Sequence, residues 1–211
     1  MSFDRLAPHY NWLETLLAGK KLQRCRTAFL DDFVSARSIL LIGEGHGRFL
    51  PALLERNSKA RVRCLDQSAG MFKLARERLD ARGFNGSNVS FEIQDIFQFE
   101  PNEQFDAIGT HFFLDCFTTE QMEKIIPKIA SWIVPNGFWH ISDFQVPERF
   151  FAGMRARLIL ALAYGFFRFT TRLPARQIVS PENFIRSCGL QRGERHEFDF
   201  GLLYSELWRK H

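Results

Sequence analysis

At 211 residues the chain is long enough for one sizeable domain and too short for two large ones, and 45% hydrophobic content can fill its core. Its net charge of +4, with an isoelectric point near 9.0, is spread along the chain and forms no concentrated basic stripe of the kind a nucleic-acid partner demands. The four cysteines, Cys25, Cys64, Cys116 and Cys188, stand far apart and form no C-x-x-C pair, which argues against a metal site or a disulfide framework and for reduced thiols in the cytoplasm.

The opening MSFDRLAPHY lacks the basic-then-apolar layout of a signal peptide, and no apolar run reaches the ~18 residues of a membrane span. From Phe3 to Phe33, apolar residues recur at three- and four-residue spacing, interrupted near Gly19. This predicts a helical lid or flank over residues 1–36 ahead of the first strand. Ser38 to Phe49, SILLIGEGHGRF, then organises the chain. Four apolar residues, Ile39 to Ile42, run into Gly43, Glu44, Gly45, His46 and Gly47, and Phe49, Leu50, Leu53 and Leu54 follow at helical spacing. The expectation is a buried parallel strand, a glycine turn and a helix, with bare backbone and helix N–H groups facing one crevice.

Ala60 to Leu65 reads as a second strand ending at Asp66. Ser68 then caps a helix from Ala69 to Arg82, stopped by Gly83 and Asn85-Gly86. Val89 to Gln94 is a third strand, with Val89, Phe91 and Ile93 on one side and Asp95 at its end. Phe105 to Thr110 is a fourth, opening into His111, Phe112 and Phe113. Thr118 starts a helix that runs to about Val134 and stops at Asn136-Gly137. Phe138 to Ser142 is a fifth strand, leading into Asp143 and Phe144. Strand and helix alternate, which predicts an α/β, Rossmann-like, doubly wound and mostly parallel sheet with helices on both faces.

Beyond Pro147 the pattern breaks. A helical insert spans 147–180, apolar from Leu158 to Phe167 and flanked by Arg155, Arg157, Arg168 and Arg172. Such a helix packs on the domain, covers a substrate or touches a membrane surface. Ser180-Pro181-Glu182 starts a further helix that ends at Cys188-Gly189, and Leu190 to Arg209 forms an antiparallel hairpin around Gly201.

In open α/β sheets ligands sit at the carboxyl ends of the strands, where strand order reverses. The glycine turn, Asp66 and Asp95 all fall at such ends. Asp66 follows the turn at close to the ~20-residue offset at which an acid meets ribose hydroxyls. A carboxylate accepts from both hydroxyls of a free diol. The glycines read G-x-G-x-G, which is neither the G-x-G-x-x-G of nicotinamide enzymes nor the G-K-[ST] ending of a phosphate loop.

SILLIGEGHGRF, VRCLDQSAGMFKLARERL, VSFEIQDI and QFDAIGTHFF, in that order, resemble the class I S-adenosylmethionine-dependent methyltransferases, and DRLAPHYNWLE resembles their ubiquinone/menaquinone-type small-molecule branch. The resemblance covers about Phe3 to Phe144. It implies a seven-stranded sheet and S-adenosylmethionine as cofactor. It puts Gly43, Glu44, Gly45 and Gly47 under the methionine part, Asp66 on the ribose diol, Gln67 and Met71 beside the adenosine, and Asp95 and Ile96 at the adenine. Thr110, His111 and Phe112 would close the site near the sulfonium, and Tyr10 would cover it from the lid. The family often carries an acid two positions before the first glycine; here that position is Leu41.

The cofactor's methyl group is already activated, so no metal is needed, and the protein must align an acceptor. A hydroxyl or carbon acid benefits from a general base, for which His111, Asp115, His140 and Asp143 are the candidates. Phe112, Phe113, Phe117, Phe144, Tyr164, Phe166 and Phe167 can line an apolar acceptor pocket or simply fill a core. The expectation is therefore methyl transfer to a small apolar or aromatic acceptor in the cytoplasm, with peripheral membrane contact open. A nucleic-acid partner does not fit, because the turn after the fourth strand lacks the Asn/Asp-Pro-Pro-aromatic platform for a flipped base. RNA or protein methylation, or a non-catalytic cofactor-binding module on the same fold, are the alternatives.

Overall fold

The computed structural model describes residues 19–171 and 178–211, with side chains described over 20–161 and 178–211. Tyr10 and the rest of the expected lid before Gly19 lie outside the described residues, as do the side chains of Tyr164, Phe166 and Phe167.

Seven strands form one sheet: β1 (Ser38–Ile42), β2 (Arg61–Asp66), β3 (Val89–Ile93), β4 (Phe105–His111), β5 (Ile133–Phe144), β6 (Leu190–Phe198) and β7 (Leu203–Lys210). Their spatial order is β3-β2-β1-β4-β5-β7-β6, so strand order reverses between β1 and β4. The first five pair in parallel, while β7 runs antiparallel between β5 and β6. This is a Rossmann-like α/β fold. β1 is buried along its whole length, as a central parallel strand covered on both faces must be.

The helices are α1 (Gly19–Arg26), α2 (Leu50–Arg56), α3 (Ala69–Asp80), α4 (Thr119–Ser131), α5 (Phe150–Thr171) and α6 (Glu182–Ser187). Ile39 and Leu41 of β1 point into one core layer, with Leu50 and Leu53 of α2 and Phe72 and Leu79 of α3. Leu40 and Ile42 point into the opposite layer, with Ile125 and Ile129 of α4 and Ile185 of α6. The period-two alternation of a strand thus sends neighbouring residues to opposite helix layers.

Helix starts follow local chemistry. The Ser68 hydroxyl accepts from the Met71 N–H, capping α3 as expected. Thr118 caps α4 in a reciprocal box with Gln121. At α6 the cap position is Pro181 rather than Ser180, although the Ser180 hydroxyl still accepts from the Glu182 N–H at 3.4 Å.

Two boundaries differ from the sequence reading. α4 stops at Ser131, and Asn136-Gly137 lies inside β5 instead of closing the helix. Asn136 has φ +63°, and the β4–β5 register jumps from Phe105–Ile133 to Ala107–Phe138, so the dipeptide makes a bulge. A Cβ on Gly137 would lie 2.8 Å from Ile133 Cγ2, so only glycine fits there. On β3, Ile93 is 55% exposed despite its apparent alternation, because β3 is an edge strand paired with β2 alone.

Candidate functional site

The turn after β1 leaves the strand at the point where sheet order reverses. Gly43, Gly45 and Gly47 have φ of +68°, +60° and +72°, a backbone region that disfavours any side chain. Gly43 and Gly47 are also sterically fixed. A Cβ at Gly43 would lie 2.3 Å from Phe113 Cδ2, and one at Gly47 would lie 2.8 Å from Ala75 Cβ.

The acid inside the turn has structural work of its own. Glu44 Oε1 accepts from the N–H groups of Phe49 (2.9 Å) and Leu50 (3.0 Å), capping α2 through its side chain. Burial pushes its pKa up, opposed by those amides and by the Arg26 charge. The other oxygen, Oε2, lies 3.9 Å from His111 Nδ1. Leu41 is fully buried in the layer formed with α2 and α3.

Asp66, at the tip of β2, ties the glycine turn to the start of α3. Its Oδ2 accepts from the Gly45 N–H at 3.1 Å and its Oδ1 from the Ser68 N–H at 2.9 Å. Burial nonetheless raises its pKa to about 6. Asp95, after β3, uses Oδ1 to accept from the Phe97 N–H at 2.9 Å. Both acids are therefore held by backbone amides at neighbouring strand tips.

These elements surround one cavity of about 360 Å³, within the usual range for small-ligand sites. Gly43, Glu44, Gly45, Asp66, Gln67, Met71, Asp95, Ile96, His111 and Phe112 all line it. Thr110 does not. Its hydroxyl accepts from Trp139 Nε1 at 2.9 Å, inside the core. Of the four candidate bases only His111 reaches the cavity wall. His140 is buried behind it, and Asp143 is buried with Oδ2 accepting from the Asp115 N–H at 3.1 Å. Burial and the neighbouring Asp115 charge push the Asp143 pKa well up.

His111 heads a buried chain of hydrogen bonds whose protons can be counted. Ser142 Oγ donates to the Cys25 carbonyl at 3.1 Å, since a carbonyl only accepts. Ser205 Oγ, 3.0 Å away, must then donate to Ser142, and His140 Nε2, 2.8 Å from Ser205 Oγ, must donate to Ser205. His140 Nδ1 is left to accept from His111 Nε2 at 3.1 Å. Each link of this chain then carries one proton, and the His140 Nε2–H given to Ser205 also lies 3.3 Å from Ser142 Oγ. The reversed chain would leave the two hydroxyl oxygens 3.0 Å apart with no proton between them. Both imidazoles are held neutral, because burial lowers the pKa of His140 and takes that of His111 to about 3. His111 consequently keeps Nδ1 as its unprotonated nitrogen.

Arg26 also lines the cavity, with its guanidinium 4.9 Å from the Phe112 ring centroid. Sequence reading missed it inside the basic run KKLQRCR, which looks like a solvated face. The available signal was spacing: Leu22, Cys25 and Arg26 share one face of α1, and all three are buried. Phe113, Cys116 and Phe117 complete the wall from the segment after β4.

The family described as "Methyltransferase domain" matches residues 39–137, from β1 to the bulge in β5. A malonyl-[acyl-carrier protein] O-methyltransferase of Acetivibrio thermocellus is 35% identical over 145 residues, covering 68% of this chain and 48% of that protein. The chain spans about half the length of the curated relatives it matches. Among solved structures, the mitomycin 7-O-methyltransferase MmcR has a TM-score of 0.73 at 20% identity, covering 100% of this chain and 61% of that one. The N-methyltransferase NodS from Bradyrhizobium japonicum, in complex with S-adenosyl-L-homocysteine, has a TM-score of 0.63 at 17% identity, covering 90% of this chain and 84% of that one. At these identities the two structures speak for the fold. Taken with the matched domain, the chain belongs to the class I S-adenosylmethionine-dependent methyltransferase family.

Proposed function

We propose that this domain transfers the methyl group of S-adenosylmethionine to an oxygen atom of a small, apolar or aromatic acceptor by in-line displacement. The observation that carries the reading is the convergence of the left-handed glycine turn, the Asp66 and Asp95 carboxylates and the His111 imidazole on one cavity. The residues fit the cofactor group by group. Asp66 would accept from the ribose hydroxyls and Asp95 from the adenine amino group, with Met71 and Ile96 as apolar walls. Gly43 to Gly47 would let the amino-acid part approach bare backbone. Arg26 would meet its carboxylate, a role that the sequence reading assigned to no residue.

The cofactor supplies a methyl group already activated by a sulfonium. The chain's own work is positioning and exclusion of water. Phe112, Phe113 and Phe117 keep the reacting end apolar. For a hydroxyl acceptor, His111 Nδ1 would accept a hydrogen bond from the hydroxyl and aim its oxygen at the methyl group; an imidazole with a pKa of about 3 does not keep the proton, which would leave to water as the oxygen–carbon bond forms and the carbon–sulfur bond breaks. His140, Ser205 and Ser142 hold that imidazole in the required tautomer and orientation, as positioning residues. Both curated relatives are named as O-methyltransferases, which favours oxygen over nitrogen or carbon as the acceptor atom.

Incubation with S-adenosylmethionine and a fractionated metabolite extract, read by mass spectrometry, tests the reading. A product heavier by one methylene, formed by the protein and lost in His111→Gln, is the expected outcome. Methylation confined to RNA or protein fractions, or tight cofactor binding with no methyl transfer to any fraction, would overturn it.

A further inference from the structure

α5 is packed inside out. Its buried face carries the small residues Gly153 and Ala156, together with Leu160. A Cβ on Gly153 would lie 2.7 Å from the Pro147 carbonyl oxygen, so the helix is seated closely on the domain. The large apolar side chains point the other way. Phe150 is 76% exposed, Phe151 79%, Met154 55% and Leu158 64%. At the 100° per residue of an α-helix these four occupy roughly one third of the circumference. Arg157 falls at one edge of the stripe and Arg155 at the other, and both are exposed. The Arg155 guanidinium also lies 5.5 Å from the ring of Phe200, itself 79% exposed, so the apolar surface continues beyond the helix.

The surroundings are basic. Arg149 precedes the helix, and Lys20, Lys21 and Arg24 are exposed on α1, which packs beside α5 through Leu22 and Cys25 against Ala156 and Leu160. The acids in this region are Glu148, exposed, Glu197, exposed beside Pro147 and Gly201 and accepting from Gln145 Nε2 at 2.9 Å, and Asp199, which is engaged by Lys21 and Arg155. Among the described residues no helix is long and apolar enough to cross a membrane. A convex apolar stripe edged on both sides by arginines suits a flat interface, where the rings enter the acyl boundary and the guanidinium groups stay with the headgroups.

We propose that the exposed face of α5 docks on an anionic lipid bilayer, lying in the interface with Phe150, Phe151, Met154 and Leu158 inserted and Arg155, Arg157 and Arg149 against the lipid phosphates. The same end of the sheet holds the cavity. Phe112 lines the cavity and also packs in the cluster that contains Ala156 and Leu160. Docking would present the cavity's end of the domain to apolar molecules dissolved in the bilayer. The docking itself depends on α5 and not on which reaction the site performs.

Vesicle co-sedimentation with the full chain tests this. Vesicles of phosphatidylcholine alone are compared with equal mixtures of phosphatidylcholine and phosphatidylglycerol. Binding to the mixed vesicles, weakened by added salt and much weaker on the neutral ones, is the expected result. Arg157→Ala should weaken binding to the mixed vesicles about fivefold, the value of one interfacial cation. The double variant Met154→Glu with Leu158→Glu should abolish it while leaving the circular dichroism spectrum and S-adenosylhomocysteine binding unchanged. Phe151→Trp keeps the stripe apolar and serves as a reporter if the double variant does not fold; its emission should shift to the blue on the mixed vesicles only. No sedimentation with either vesicle, equal binding by the charge variants, a reporter unmoved by lipid, or a dimer held through this face would each overturn the proposal.

Discussion

Alanine scanning of the three turn glycines separates backbone strain from steric crowding. All three have positive φ, so each alanine costs about 1–2 kcal/mol in the left-handed region, offset by about 0.4–1 kcal/mol from a stiffer unfolded chain. At Gly45 nothing else is added, because the nearest atom to a new Cβ is the Gly43 carbonyl oxygen at 3.9 Å. The net cost there should be about 0–1.6 kcal/mol. At Gly43 the Cβ meets the Phe113 ring at 2.3, 3.0 and 3.1 Å, and that ring is held by Phe117 with centroids 4.9 Å apart. Turning Phe113 off its rotamer adds about 0.5–1.5 kcal/mol. At Gly47 the Cβ meets both Cβ and backbone Cα of Ala75, at 2.8 and 2.9 Å, in the middle of α3. A helix backbone cannot rotate aside, so overpacking adds about 1–3 kcal/mol. Thermal unfolding of the ligand-free protein should rank the losses Gly47→Ala, then Gly43→Ala, then Gly45→Ala, at about 2–4 °C per kcal/mol for a chain of this size. Equal shifts at all three positions, or the largest shift at Gly45, would refute the steric argument.

Asp66 sets a pH dependence for cofactor binding. Its pKa of about 6 means that the ionised form, needed to accept from two hydroxyls, is depleted below that pH. The dissociation constant of S-adenosylhomocysteine, measured by calorimetry, should be flat at neutral pH and rise by up to about tenfold per pH unit below 6, and Asp66→Asn should flatten that slope. For ligand-free stability the sign is opposite. A carboxyl raised above its ordinary 3.8 favours folding most below that value and loses the contribution as pH climbs through 6. Glu44→Ala removes the acceptor for two α2 amides and should cost about 1–3 kcal/mol in chemical denaturation, whereas Glu44→Gln keeps an acceptor oxygen and should cost less. Nitrogen-15 imidazole spectra should show His111 and His140 as neutral Nε2–H tautomers at neutral pH; an Nδ1–H form of either ring would break the proton count along the Ser205–Ser142 chain.

Much of the frame was legible because it is written in local chemistry. The run of apolar residues in β1, the glycines, the Ser68 and Thr118 caps and the strand-end positions of Asp66 and Asp95 each follow from one residue type at one spacing. Failures came where pairing decides. Asn136-Gly137 is the same dipeptide whether it ends a helix or bulges a strand, and only the β4 register selects the bulge. His140 and His111 lie on one sheet face, two strands side by side, and no single-strand pattern shows that one lines the cavity while the other stands behind it. Thr110 reads as a site residue by its position, yet strand alternation turns it to Trp139 in the opposite layer. Glu44 reads as a cofactor contact, and its carboxylate lies against the N-terminus of α2 because the tight turn brings it there.

A crystal structure of the complex with S-adenosyl-L-homocysteine tests the central claim most directly. The account predicts the adenosyl group between β1 and β3, with the ribose hydroxyls on Asp66, the adenine amino group on Asp95 and the homocysteine carboxylate on Arg26 over the Gly43–Gly47 backbone. A ligand seated elsewhere, or one that leaves the Asp66 and Asp95 carboxylates untouched, would contradict it.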